Sequence, residues 1–168
     1  MDPTRLILRP VEDSDLPFLL QVYASTRAQE MELVPWTPEQ KDQFVGTQFQ
    51  AQSAHYAAEH PRASHSIVTY QEAPIGRLYL DREPEVFHIL DLTLMPENRN
   101  RGAGSFLLRS IMAEAKDAGK PVTIYVETFN RSLQLFRRLG FKPVGQEGFH
   151  LLMQWSAQDA QAAIADSS

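Results

Sequence analysis

Apolar residues recur with two different periods along this chain, and the switches between them divide it into elements. Arg5 to Arg9 alternates in the manner of a short strand, with Leu6 and Leu8 on one face. Leu16, Leu19, Leu20 and Tyr23 then return at helical spacing, behind Asp13 or Ser14 as the N-cap. Thr37-Pro38-Glu39-Gln40 predicts a second helix start: threonine caps, proline takes the first helical position and glutamine completes a capping box. Val45, Phe49, Gln52 and Tyr56 trace one side of that helix, which ends before Pro61.

The period then shortens. Ser64–Tyr70, Ile75–Arg82 and Val86–Leu94 read as β-rich runs separated by Pro74 and Pro84, as in an antiparallel meander. A helix follows from Gly102, with Leu107, Leu108, Ile111, Met112 and Ala115 as its buried stripe and Gly119 as its stop. Val122–Glu127 reads as a strand, Asn130–Leu139 as a short helix ended by Gly140, and Lys142–Gln146 with Phe149–Trp155 as a closing pair. The order β-α-α-β-β-β-α-β-α-β-β predicts an α+β domain with a mostly antiparallel sheet. Residues 1–155 form one expected domain without repeat or linker. Residues 156–168, rich in Ala, Gln and Ser, form an expected frayed or disordered tail.

Composition narrows the function classes. At 168 residues with 43% hydrophobic and 22% charged positions, the chain suits one globular domain with a real core. It has no cysteine, so no disulfide framework, Cys-based metal site or thiol nucleophile, which suits a cytoplasmic protein. No leader pattern opens the chain and no apolar run approaches membrane-spanning length, so no membrane partner is expected. The net charge of −5 argues against general nucleic-acid binding. Its distribution is uneven: Glu97 to Lys142 holds nine Lys/Arg and four Asp/Glu, the remainder seven against seventeen. A basic segment in an acidic chain fits either one local polyanion site or a charged helix surface.

The segment Leu92-Thr93-Leu94-Met95-Pro96-Glu97-Asn98-Arg99-Asn100-Arg101-Gly102-Ala103-Gly104-Ser105 favours the first reading. A strand ends, a polar loop follows, and a helix opens on two glycines. Amides at such a start have no intrahelical partner and add to the positive end of the helix dipole, which makes an anion site. Glycine removes the side chain that would hold a phosphate off the backbone. Arg99 and Arg101 add charge-assisted bonds to the same anion. No Gly-Lys-Ser/Thr follows, so this is not a P-loop. Leu107 and the preceding meander do not fit a dinucleotide fingerprint, and Ser105 is not in a Gly-x-Ser-x-Gly elbow.

The loop and the element order together resemble the GNAT superfamily of N-acetyltransferases. Its Arg/Gln-x-x-Gly-x-Gly/Ala signature is met by Arg99, Gly102 and Gly104. Leu6–Pro10 through Asp15-Leu16-Pro17 looks like the family's opening strand and helix. Asn130 through Leu139-Gly140-Phe141 and Phe149–Trp155 look like its later motifs. The resemblance implies splayed fourth and fifth strands, helices on both faces, and acetyl-CoA as cosubstrate. It implies that Leu92 and Leu94 pair with the pantetheine arm, which enters between Leu94 and Val122–Glu127. The backbone of Arg99, Asn100, Arg101, Gly102, Ala103, Gly104 and Ser105 would hold the pyrophosphate, and Asn130 and Phe136 would lie along the same channel. It implies acetyl transfer to a small-molecule or protein amine, and homodimers formed through sheet edges as in other members.

Direct attack by an amine needs a base, because a lysine-like amine has a pKa near 10.4. His88 is the first candidate: it lies six residues before Leu94, where histone-type members carry a carboxylate. Regular alternation puts it on the face of Leu90, Leu92 and Leu94 and sends Asp91 to the other, unless a bulge intervenes. Glu127 is a third candidate. Phe136 stands where many members have a proton-donating tyrosine, which leaves Tyr125, Ser132 or water as donor. That departure keeps a non-catalytic acyl-CoA-binding module as the rival reading. His55, His60 and His65, five residues apart, read as surface positions with no metal role. Tyr23 and Trp36 either pack helices or line an acceptor pocket. Glu30, Glu32, Glu39 and Asp42 hint at a cationic acceptor.

Overall fold

The computed structural model describes residues 1–161. Strand β1 (Leu6–Pro10) leads into helices α1 (Leu16–Glu32) and α2 (Pro38–Glu59). The meander β2 (Ser64–Tyr70), β3 (Ala73–Arg82) and β4 (Phe87–Leu94) follows. Helix α3 (Ala103–Asp117), strand β5 (Val122–Glu127), helix α4 (Ser132–Arg138) and strands β6 (Lys142–Glu147) and β7 (His150–Trp155) complete the order. Among the described residues seven strands form one mixed sheet, β1-β2-β3-β4-β5-β7-β6, in which only β4 and β5 run parallel. This is the expected α+β class.

The predicted boundaries shift by a few residues. The β3 strand begins at Ala73, so Pro74 lies inside it, beside a register shift between Val68 and Thr69. Helix α4 is shorter than expected, with Arg131 at its N-cap and the Asn130 side chain accepting from the Ser132 amide just before it. In the expected tail, 157–161 are helical, with the Ser156 hydroxyl accepting from the Asp159 amide at 3.1 Å; the rest of that segment lies outside the described residues.

Local chemistry explains the helix starts. Thr37 and Gln40 form the predicted reciprocal cap, at 3.2 and 3.0 Å. At α1 the cap differs from expectation. Asp15 rather than Asp13 or Ser14 precedes the helix, and its carboxylate takes two 2.8 Å bonds from Arg9 and one from the Glu12 amide. These bonds tie β1 to the helix and hold the Asp15 carboxyl down at about 2, with Arg9 the main cause.

Each face of the sheet carries its own core. Leu107, Leu108, Ile111 and Ala115 of α3 and Phe136 of α4 pack on Val68, Leu78, Leu80, Ile89, Val122 and Ile124. On the other face, Leu19 and Tyr23 of α1 and Val45 and Phe49 of α2 close over Ile67. Tyr23 therefore packs the helices, its ring 5.7 Å from Phe49. Trp36 is exposed and meets Phe44 edge-on.

His60 and His65 are half-buried rather than exposed, because Asp81 and Tyr79 of β3 pack against them. His65 stacks on Tyr79, with centroids 4.1 Å apart. Burial, then the charge of Arg77, lowers its pKa to about 4. A histidine depressed in the fold contributes stability above its unfolded pKa, near 6.5, and loses it as pH falls through the folded value. Unfolding free energy should therefore drop between those limits, by about 1–2 kcal/mol after discounting for the ring's partial exposure. Urea melts at pH 7 and pH 4 on the native chain and on His65→Phe check this; the variant's loss should be smaller by that amount.

Candidate active site

The parallel pairing of β4 and β5 is short. Phe87, His88 and Ile89 pair with Val122, Thr123 and Ile124, and there it stops, although β4 runs on to Leu94 and β5 to Glu127. Over those last residues β4 stays paired with β3, and β5 with β7. Two strand edges therefore diverge from a closed foot at Ile89 and Ile124. This gap is the expected splay.

The loop at its open end is held by its own backbone. A 3-10 turn at Pro96–Asn98 is followed by two left-handed residues, Asn100 (φ 60°) and Gly102 (φ 89°), which swing the chain into α3. The Phe106 amide bonds to the Gly102 carbonyl at 3.0 Å, and the amides of Ala103, Gly104 and Ser105 have no acceptor among the described residues. Among the described residues no side chain caps this helix. A Cβ on Gly104 would lie 4.0 Å from Leu94 Cδ1 and Leu135 Cδ2, so the helix start, the end of β4 and α4 converge at this point. Free amides beside a glycine with apolar walls fit a phosphate-bearing ligand.

The two arginines behave differently. Arg99 folds back, its Nε donating to the Leu94 carbonyl at 2.9 Å, so it secures the strand end. Arg101 is exposed beside the helix start. Asn130 uses its side-chain oxygen to accept from the Ser132 amide at 2.8 Å. Phe136 is 5% exposed and packs edge-on against Phe141, so Leu135 rather than Phe136 stands opposite Gly104. Sequence reasoning missed Leu135, since the two are adjacent and both apolar and nothing in the sequence marks which of them faces Gly104.

The candidate bases share one face, which corrects the regular alternation expected for β4. Leu80 pairs with Ile89 but Tyr79 pairs with Asp91, so Leu90 is an extra residue, a β-bulge. Leu92 and Leu94 join Ile89 over the α3 core, while His88 and Asp91 both face α1 and α2. Asp91 is not free there. It bonds to Arg77, which is 2% exposed and also donates to Gln52 at 2.7 Å, and it accepts from the Thr93 hydroxyl at 2.7 Å. Asp91 is therefore held in an ion pair whose arginine is fully buried. An arginine inside the apolar run Ile75–Leu80 was the available sequence signal.

His88 sits at the foot of the gap, its Nδ1 2.7 Å from the Thr123 hydroxyl and its ring edge-on to Tyr125 at 5.8 Å. It stacks on His60 at 6.0 Å. Burial, then the neighbouring His60, lowers its pKa, so the ring is neutral at pH 7. His60 Nδ1 lies 2.7 Å from Asp81 Oδ2, and with Glu83 these residues bring three ligand-type atoms within 4.8 Å. His60 Nδ1 also lies 3.7 Å from Glu83 Oε1. Glu127 lies at the far end of β5, 3.5 Å from Arg27 and 3.8 Å from His150. Tyr125, between them, is 44% exposed.

The acetyltransferase (GNAT) family pattern matches residues 23–141. The chain belongs to the GNAT family. No curated protein matches it in sequence. Solved GNAT structures share its fold. The PaiA N-acetyltransferase of Thermoplasma acidophilum, in complex with coenzyme A, is 18% identical with a TM-score of 0.69, covering 90% of this chain and 98% of its own. An acetyltransferase from Thermus thermophilus is 20% identical with a TM-score of 0.66, covering 93% and 99%. The ribosomal-protein-S18-alanine N-acetyltransferase of Escherichia coli is 13% identical with a TM-score of 0.63, covering 90% and 93%. GNAT membership accounts for the splayed strands and the glycine-led helix. Among the described residues no helix is long and apolar enough to cross a membrane.

Proposed function

We propose that the protein transfers an acetyl group from acetyl-CoA to a primary amine, with His88 as the general base. The observation that carries this is the alignment of one gap: uncapped amides of α3 at its open end and the imidazole of His88 at its foot. Acetyl-CoA would lie with its pyrophosphate on the amides of Ala103 to Ser105 and its arm along the free edges of β4 and β5. The amine nitrogen attacks the thioester carbon, forming the C–N bond as the C–S bond breaks. His88 takes the amine proton, directly or through water. The departing thiolate, whose conjugate thiol ionises near pKa 8.5, takes its proton from Tyr125 or solvent. The acceptor is a small-molecule or protein amine; the latter matches what the Escherichia coli neighbour's name describes.

The rival is an acyl-CoA-binding module without turnover, favoured by Phe136, which has no proton to give. Thermal unfolding with acetyl-CoA, CoA and ATP comes first. At 100 times the dissociation constant a bound ligand adds about 2.7 kcal/mol. The reading expects a shift with both CoA species and none with ATP, followed by amine-dependent thiol release. A shift without release from any amine would favour the binding module.

A further inference from the structure

Tyr56 reaches the same gap from α2. Its hydroxyl donates to the Leu90 carbonyl at 3.1 Å. Leu90 is the extra residue of the β4 bulge and the first residue beyond the last β4–β5 pair. The bond therefore falls where the gap opens. The ring is half-buried and packs edge-on to Tyr79 at 5.2 Å. Burial, then the Asp91 charge, pushes its pKa up to about 12, so the hydroxyl remains a donor across the working range.

We propose that Tyr56 is a positioning residue for acyl transfer: it pins the bulged peptide and so fixes the free edge of β4 against which the thioester is laid. A peptide group is planar, so holding the Leu90 carbonyl also fixes the Asp91 N–H, which points away from Tyr56. Beyond Ile89 no β5 partner restrains that edge. The bulge interrupts the β3 ladder at the same point, which leaves Tyr56 as the link from α2 to this peptide. Misplacing reacting atoms by a fraction of an ångström is expensive in rate and inexpensive in binding.

The proposal rests on the transfer reading, and Tyr56→Phe tests it while keeping the ring packing. The expected result is a kcat lower by about tenfold or more. KM for acetyl-CoA and Kd for CoA should stay within about twofold. The pH profile should keep its shape, and hydrogen exchange should quicken at the amides of residues 90–92 alone. Unchanged kcat and exchange would overturn the proposal. So would a parallel loss of CoA affinity and global stability, which marks a packing role, or a reshaped pH profile, which marks a proton carrier. If the native chain binds CoA but acetylates no amine, the transfer reading fails instead, and the exchange rates still decide whether Tyr56 pins the bulge.

Discussion

Replacing Gly104 with valine is expected to weaken CoA binding by about 100-fold or more while leaving the fold intact. Gly104 is the second residue of α3 and has an ordinary helical φ, so a side chain there meets no backbone strain. A Cβ would touch Leu94 and Leu135 at 4.0 Å, an ordinary contact distance. Helix propensity even favours alanine over glycine, by about 0.5–1 kcal/mol. The branches of valine would project over the free amides of Ala103 and Ser105, where a phosphate must come within about 3 Å to bond. Each charge-assisted bond is worth about 1.5–3 kcal/mol, and losing two accounts for the predicted factor. Calorimetric titration with CoA beside a thermal melt separates the two effects. Gly104→Ala should fall between, with unchanged or slightly raised Tm. Gly102→Ala should behave in the opposite way, because φ of 89° strains any side chain and lowers stability first. If Gly104→Val binds CoA as tightly as the native chain, the helix start is not the anion cradle.

That contrast shows what was legible in the sequence. Two glycines after Arg99 announced a helix start built for an anion, and the resemblance supplied the splayed strands. One glycine answers to backbone conformation and the other to space, and the string Gly-Ala-Gly does not say which. The bulge at Leu90 was illegible for a related reason. A run such as His88-Ile89-Leu90-Asp91-Leu92 alternates acceptably in either register, and only the pairing with Tyr79 and Leu80 fixes it. Moving Asp91 to the face of His88 brought it to Arg77 and removed it as a free base. His60 and His65 read as surface because their covers lie far along the chain: Asp81 for one, Tyr79 for the other. Hydrophobic periodicity locates elements, whereas polar partners across a sheet depend on register.

His88→Gln is expected to lower kcat/KM by about 100- to 10,000-fold, the range for loss of a positioned base. CoA affinity should hold, because the side chain faces α1 and α2 rather than the α3 side occupied by Leu92 and Leu94. The pH profile gives the sharper test. A base must be neutral to accept a proton, so activity should rise with pH through the pKa of His88 and then level off. Burial and His60 place that limb below the ordinary histidine value, near 6.5. The acceptor's own ionisation, near 10.4 for a lysine-like amine and about 7.7–8.0 for an α-amino group, lies above it. In His88→Gln the acid limb should vanish while the upper limb remains. Glu127→Gln should keep the acid limb, because Glu127 lies at the other end of β5, between Arg27 and His150. Asp91→Asn should lower stability and also keep it, since Asp91 is committed to Arg77. An acid limb that survives in His88→Gln and disappears in Glu127→Gln would transfer the base to β5. The direction of attack would then run from the mouth of the gap rather than from its foot.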